Sequence, residues 1–177
     1  MTRHLVLLLA LAVTGCAAPP TSVEAAPTVV YLVRHAEKAA APADDPPLTP
    51  QGAARAAALA DDLARSGVRA VYSSQFRRSR DTVAPTAARL GMEVTVLPIA
   101  GPDVPAMLRA QARQIADENP GAAALVAGHS NTVPTMIAEL TGTPMADLDE
   151  SEYGDLFVVT ITPDGTARLE RRRFGDS

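Results

Sequence analysis

The chain of 177 residues has a single cysteine, no tryptophan, and only three tyrosines and three phenylalanines. One cysteine excludes an internal disulfide framework and any thiolate metal cluster. So few aromatic rings leave little material for base-stacking platforms or aromatic cages. Past the N-terminal segment no apolar run approaches the ~20 residues of a membrane-spanning helix, which excludes a polytopic membrane protein. Positive charge is also short. The formal net charge is −4 and the sequence pI about 5.3, which argues against a nucleic-acid partner. What is present is a hydrophobic fraction of 47%, incompatible with low-complexity disorder and enough for one α/β or α+β domain.

Residues 1–15 read as an export signal. Arg3 and His4 give a polar start, residues 5–13 are apolar, and Thr14-Gly15-Cys16 closes the run with small residues. The apolar stretch is too short to span a bilayer. One reading is an ordinary secretory signal cut near Ala17 and Ala18. The other rests on Val13-Thr14-Gly15-Cys16, which resembles the bacterial lipobox. That resemblance implies that Cys16 is acylated and becomes the mature N-terminus. The protein is then a lipoprotein of the bacterial cell envelope, touching the membrane through its N-terminal lipid only. Residues 16–27, with Pro19, Pro20 and Pro27 among Ala, Thr, Ser and Glu, read as a tether. Residues 28–177 remain as one domain.

Along that domain, strand and helix patterns alternate four times. Thr28-Val-Val-Tyr-Leu-Val33 is a β-branched run suited to a strand buried on both faces. Thr49-Pro50 supplies an N-cap and a first-turn proline for a helix that Ser66-Gly67 would stop. Strand patterns follow at 68–73, 93–97 and 122–127. Helical patterns follow at 75–90, where Pro85 predicts a break or kink, at 105–118, and from Val133 to the stop at Gly142. Residues 156–162 and 166–172, joined by Pro163-Asp164-Gly165, form a closing hairpin. The expected fold is a three-layer α/β/α sandwich with a mostly parallel sheet and the hairpin at its edge. Ligands of such sheets bind beyond the carboxyl ends of the strands. Cleavage at Cys16 would leave two histidines, His35 and His129, and both fall at such ends.

The residues around them suit a phosphoryl group. Arg34 precedes His35, and an imidazole largely unprotonated near neutral pH is a competent nucleophile. Arginine offers a planar fork that matches a tetrahedral oxyanion. In Ser73-Ser74-Gln75-Phe76-Arg77-Arg78-Ser79-Arg80-Asp81-Thr82, three arginines open a helix, against the dipole unless an anion sits there. Arg78, one turn before Thr82, is the inward choice. In Gly128-His129-Ser130-Asn131-Thr132 another strand delivers a histidine to a helix start capped by Ser130 or Asn131. For either histidine taken alone, a structural role at a strand end is the competing reading.

Taken in order, Arg34-His35-Ala36-Glu37, Leu48-Thr49-Pro50-Gln51-Gly52, Ser74-x-x-x-Arg78-x-x-x-Thr82 and Gly128-His129-Ser130 resemble the histidine phosphatase superfamily, in its phosphoglycerate-mutase-like branch. That resemblance implies that His35 attacks phosphorus and forms a phosphohistidine. It gives Arg34, Arg78 and His129 the phosphoryl oxygens, and it requires neither cofactor nor metal. The substrate would be a phosphorylated small molecule or phosphoprotein carrying a phosphate monoester, phosphoanhydride or phosphoamidate. Asn131 and Glu37 are candidate substrate contacts, with local anchoring the other role for Glu37. The third position of the opening motif is Ala36 where the family usually has glycine. The resemblance also implies a proton-donating carboxylate after the third strand. Asp103 is the only acid between Pro98 and Pro105, and it also suits a helix N-cap; Asp155 is a further candidate. Without such an acid, good leaving groups are favoured over alkyl esters. The segment there is too short for a substrate-embracing insertion, which disfavours a mutase.

Three rivals compete. A serine hydrolase built on Ser130 lacks a later histidine. A metal-dependent hydrolase leaves the crowded arginines unexplained. A lipid-anchored binding module for a phosphorylated ligand would not need the nucleophile. Elsewhere, Asp44-Asp45 reads as a solvated loop, and Arg171-Arg172-Arg173 as the outer edge of the last strand.

Overall fold

The computed structural model describes residues 25–175. The expected signal at 1–15, the Cys16 lipidation site and most of the tether lie outside the described residues. The elements run β1 (Thr28–Arg34), α1 (Pro50–Asp62), β2 (Val68–Ser73), α2 (Arg77–Leu90), β3 (Val94–Val96), α3 (Val104–Glu118), β4 (Ala123–Gly128), α4 (Thr132–Thr141), β5 (Asp155–Ile161) and β6 (Ala167–Arg173). One six-stranded sheet has the order β3-β2-β4-β1-β5-β6. The first four in that order are parallel; β5 and β6 add antiparallel at one edge. This is the expected sandwich.

Period-two alternation on the central strands divides the core in two. Tyr31 and Val33 of β1, with Leu125 and Ala127 of β4, pack under α1 and α2 against Leu59, Leu63 and Val83. Val30 and Leu32, with Ala124 and Val126, face α3 and α4 and meet Leu108, Ile115, Val133 and Ile137. Leu32, Val33 and Leu125 are fully buried, each contributing about 1.5–3 kcal/mol by leaving water.

Two local expectations are corrected. Helix α2 continues through Pro85, so the expected break does not occur. Val83, Thr86 and Ala87 around it are buried, so packing on the sheet outweighs the one lost backbone bond. Helix α1 ends at Asp62, capped at Leu63, before Ser66-Gly67 is reached. Leu63 is 2% exposed, and keeping it in the core turns the chain early.

The topology fixes the site. Strands β1 and β4 are neighbours, with Arg34 opposite Gly128. The chain leaves β1 toward α1 on one face and β4 toward α4 on the other. A crevice therefore opens between their carboxyl ends, and the next residues in line are His35 and His129.

Candidate active site

His35 continues the ladder, its N–H donating to the Gly128 carbonyl (2.9 Å). The turn after it is held from below by the Leu48-Thr49-Pro50-Gln51-Gly52 motif. The Thr49 N–H donates to the Glu37 carbonyl (2.9 Å), and the Thr49 hydroxyl accepts from the Gly52 N–H (3.0 Å) as the N-cap of α1. Gly52 has no substitute here, since a Cβ would lie 2.3 Å from the Glu37 carbonyl oxygen. Strand β4 ends in a similar way. The His129 N–H donates to the Thr132 hydroxyl (2.8 Å), and a Cβ on Gly128 would lie 2.7 Å from that same oxygen. The expected side-chain cap of α4 is not made: Asn131 stands at the N-cap without a capping bond, and the Ser130 hydroxyl is turned to Glu150.

The two imidazoles meet edge to face, centroids 5.3 Å apart. They are 4% and 9% exposed. His35 Nδ1 lies 2.8 Å from the Ala36 carbonyl oxygen. A carbonyl only accepts, so Nδ1 carries the proton and Nε2 keeps its lone pair. Burial first, and then the Arg34 and Arg78 charges, push His35 down to about 4 despite that bond. Burial, then His35 and the two arginines, push His129 to about 3. Both rings are neutral at pH 7. His129 Nε2 is 2.9 Å from the Ser74 hydroxyl, which can donate to it or accept from it.

The arginines differ. Arg34 is 5% exposed. Its terminal nitrogens donate to the carbonyls of Asp149 (2.8 Å) and Glu152 (3.0 Å) and to Glu150 Oε2 (2.8 Å), with the Tyr153 ring 4.4 Å from its guanidinium carbon. Only Nε is left, buried and unpaired. Arg78 has no hydrogen bond or ion pair among the described residues; its Nε is also buried and unpaired, and its guanidinium lies 4.4 Å over Phe76. Phe76 in turn meets His129 edge-on at 5.3 Å.

These groups line an open cavity of about 500 Å³ whose wall includes His35, His129, Arg78 and Asn131. Two tentative assignments do not fall there. Asp103 is exposed and caps α3, accepting from the Ala106 N–H (2.9 Å). Glu37 is clamped by Arg55 through bonds of 2.7 to 3.0 Å; that fork, outweighing burial, holds its carboxyl below the usual range. Asp155 is spent on Arg171 (2.7 and 2.8 Å). The carboxylates that do line the cavity are Asp147 and Glu150, joined by Lys38, none of which sequence reasoning singled out. Ser130 bonds Glu150, and together with the Arg34 charge it keeps that carboxyl ionised, against the effect of desolvation. Phe76 was also missed, although an aromatic beside arginine in so ring-poor a chain was a usable signal.

Comparison with known proteins agrees with this geometry. Residues 30–99, which include Arg34, His35 and Arg78, match the family described as the histidine phosphatase superfamily (branch 1). A protein histidine phosphatase, SixA, solved with tungstate, superposes with a TM-score of 0.61 at 25% identity, covering 82% of this chain and 96% of that one. Over residues 30–99 the chain is similar to the histidine phosphatase superfamily, and over most of its length it shares the fold of SixA. Two further structures share the fold. Bacillus stearothermophilus YhfR has a TM-score of 0.66 at 19% identity, over 85% of this chain and 98% of its own. A mycobacterial glucosyl-3-phosphoglycerate phosphatase has a TM-score of 0.62 at 15% identity, over 84% and 99%. No curated protein sequence matches the chain.

Proposed function

We propose that the protein is a metal-independent phosphatase that works through a phosphohistidine on His35. The observation that carries this is the His35 ring, neutral, with Nδ1 tied to the Ala36 carbonyl and Nε2 left as a base beside His129 and Arg78. In the first step the Nε2 lone pair attacks phosphorus and the bond to the leaving group breaks, its electron pair departing with that group. Arg78 and His129 take up charge on the phosphoryl oxygens. In the second step water attacks the phosphohistidine, the P–N bond breaks, and phosphate is released with His35 regenerated.

Glu150, ionised and bonded to Arg34 and Ser130, is a poor proton donor, and Asp103 is a helix cap. With those two acids committed and Asp147 the one other carboxylate on the cavity wall among the described residues, good leaving groups, namely aryl phosphates, phosphoanhydrides and phosphoamidates protonated on nitrogen, are favoured over alkyl phosphates. A panel of these, assayed with and without chelator, tests the reading. Phosphate release from the first three classes, unchanged by EDTA, is expected; activity lost to EDTA and restored by a divalent cation contradicts it.

We also propose that the chain is exported and anchored through acylated Cys16. The Cys16→Ser variant should then move from the membrane to the soluble fraction, and unchanged fractionation contradicts the anchor.

A further inference from the structure

Helix α2 buries three hydroxyls on the sheet side, Ser79, Thr82 and Thr86, each fully shielded from solvent. Two of them, Ser79 Oγ and Thr86 Oγ1, find no partner. Thr82 differs. Its hydroxyl donates to the Arg78 carbonyl (2.7 Å), the ordinary back-bond of a helical threonine. That bond fixes the oxygen's remaining lone pairs, and the Ala36 N–H donates to them at 2.9 Å. On its other side the carbonyl of the same Ala36 accepts the His35 Nδ1 proton at 2.8 Å. Residue 36 is thus gripped at its N–H by α2 while its carbonyl grips the imidazole.

We propose that Thr82 is a positioning residue for the nucleophile: by holding the Ala36 backbone it keeps the His35 proton on Nδ1 and the lone pair on Nε2, in register with Arg78 on the same helical turn. The hydroxyl bonds the carbonyl of the residue whose guanidinium lines the cavity, so one group sets both the tautomer of the base and its distance from the cation. Without it the Ala36 N–H would be buried and unpaired, and the peptide would rotate to find a partner. The carbonyl holding the ring would turn with it.

The inference rests on His35 acting as the nucleophile, so its test includes a readout independent of turnover. Ring ¹⁵N spectra at pH 7 should show His35 of the unaltered protein as the Nδ1–H tautomer. In Thr82→Val, which keeps the shape and removes the hydroxyl, the Nε2–H form should gain population. Turnover of an aryl phosphate in that variant should fall about tenfold to a hundredfold, with KM changed far less. Thr82→Ser should restore both. Wild-type tautomer and kcat in the valine variant, or a serine variant no better than valine, would overturn the proposal. Should the valine protein not fold, an Nε2–H tautomer in the unaltered protein overturns it, and Nδ1–H in both the unaltered and serine proteins supports it. A protein inactive on every phosphorylated compound ends the phosphatase reading, while the ring spectra still decide the tautomer.

Discussion

Arg34 and Arg78 both put charge on the same imidazole pair, yet they are held in opposite ways. Arg34 extends β1 and hands its terminal donors to residues 149–152, 115 or more positions away in the chain. Arg78 stands in the first turn of α2, its guanidinium braced among the described residues by the Phe76 ring. A guanidinium is costly to desolvate and repays that cost only when its donors are matched. Arg34 is matched by the protein itself and so organises the loop over the crevice. Arg78 retains the donors that an oxyanion would complete. The comparison separates a cation that builds the site from one that waits for the ligand.

That distinction can be broken by substitution. Arg78→Ala should lower kcat/KM by about two to three orders of magnitude, as loss of a transition-state charge partner does, while leaving the melting temperature unchanged. Arg34→Ala should also lower activity, but its signature is stability. Glu150 is largely exposed, so the loss lies in the buried guanidinium's bonds to the Asp149 and Glu152 carbonyls, the anchor of residues 149–152, and should cost about 1–3 kcal/mol by chemical denaturation. Equal stability losses in the two variants would erase the contrast. Glu150→Gln tests the Arg34 corner more gently. It frees one guanidinium nitrogen and removes a negative charge from the rim, so KM for a phosphorylated substrate should fall about threefold to tenfold. A raised KM would mean that the loop, not its charge, matters.

The histidines give the smallest effect near neutrality and a growing one in acid. Unfolded imidazoles bind protons near 6.5, whereas the folded pair resists protonation until about 4 for His35 and about 3 for His129. Between these limits the unfolded state holds more protons, so stability rises with pH. Their contribution is complete above about 6.5 and is lost as pH falls through about 4 to 3, amounting to several kcal/mol at roughly 1.4 kcal/mol per pKa unit. Ring C–H shifts followed by NMR should stay those of neutral imidazole at pH 5; titration near 6.5 would contradict the burial.

Most of the frame was legible because its signals are local. Thr49-Pro50 announces a helix start, β-branched runs announce buried strands, and both histidines follow such runs. The motif resemblance also pointed to His35, Arg78 and His129, which line one cavity; for Arg34 the expected phosphoryl contact is corrected, because its terminal donors are taken by residues 149–152. What stayed hidden depends on pairing across distance. Nothing near Glu150 signals that it meets Arg34 and Ser130, because residues 149–152 form an irregular segment without period or cap. Asp103 was ambiguous for a different reason: a carboxylate before a helix serves as acid or as cap, and only the Ala106 N–H decides. Pro85 misled because propensity is a local cost, whereas Val83 and Ala87 answer to the whole sheet.

The central claim is a covalent one, and the shortest route to it is to catch the intermediate. The protein is mixed briefly with a labelled aryl phosphate, quenched in alkali, where phosphohistidine survives and phosphoserine and phosphothreonine do not, and mapped by peptide mass spectrometry. One phosphoryl group on the His35 imidazole, absent from His35→Ala, is the predicted result. Phosphate released with His35 never modified, or with the alanine variant turning over normally, would contradict the account.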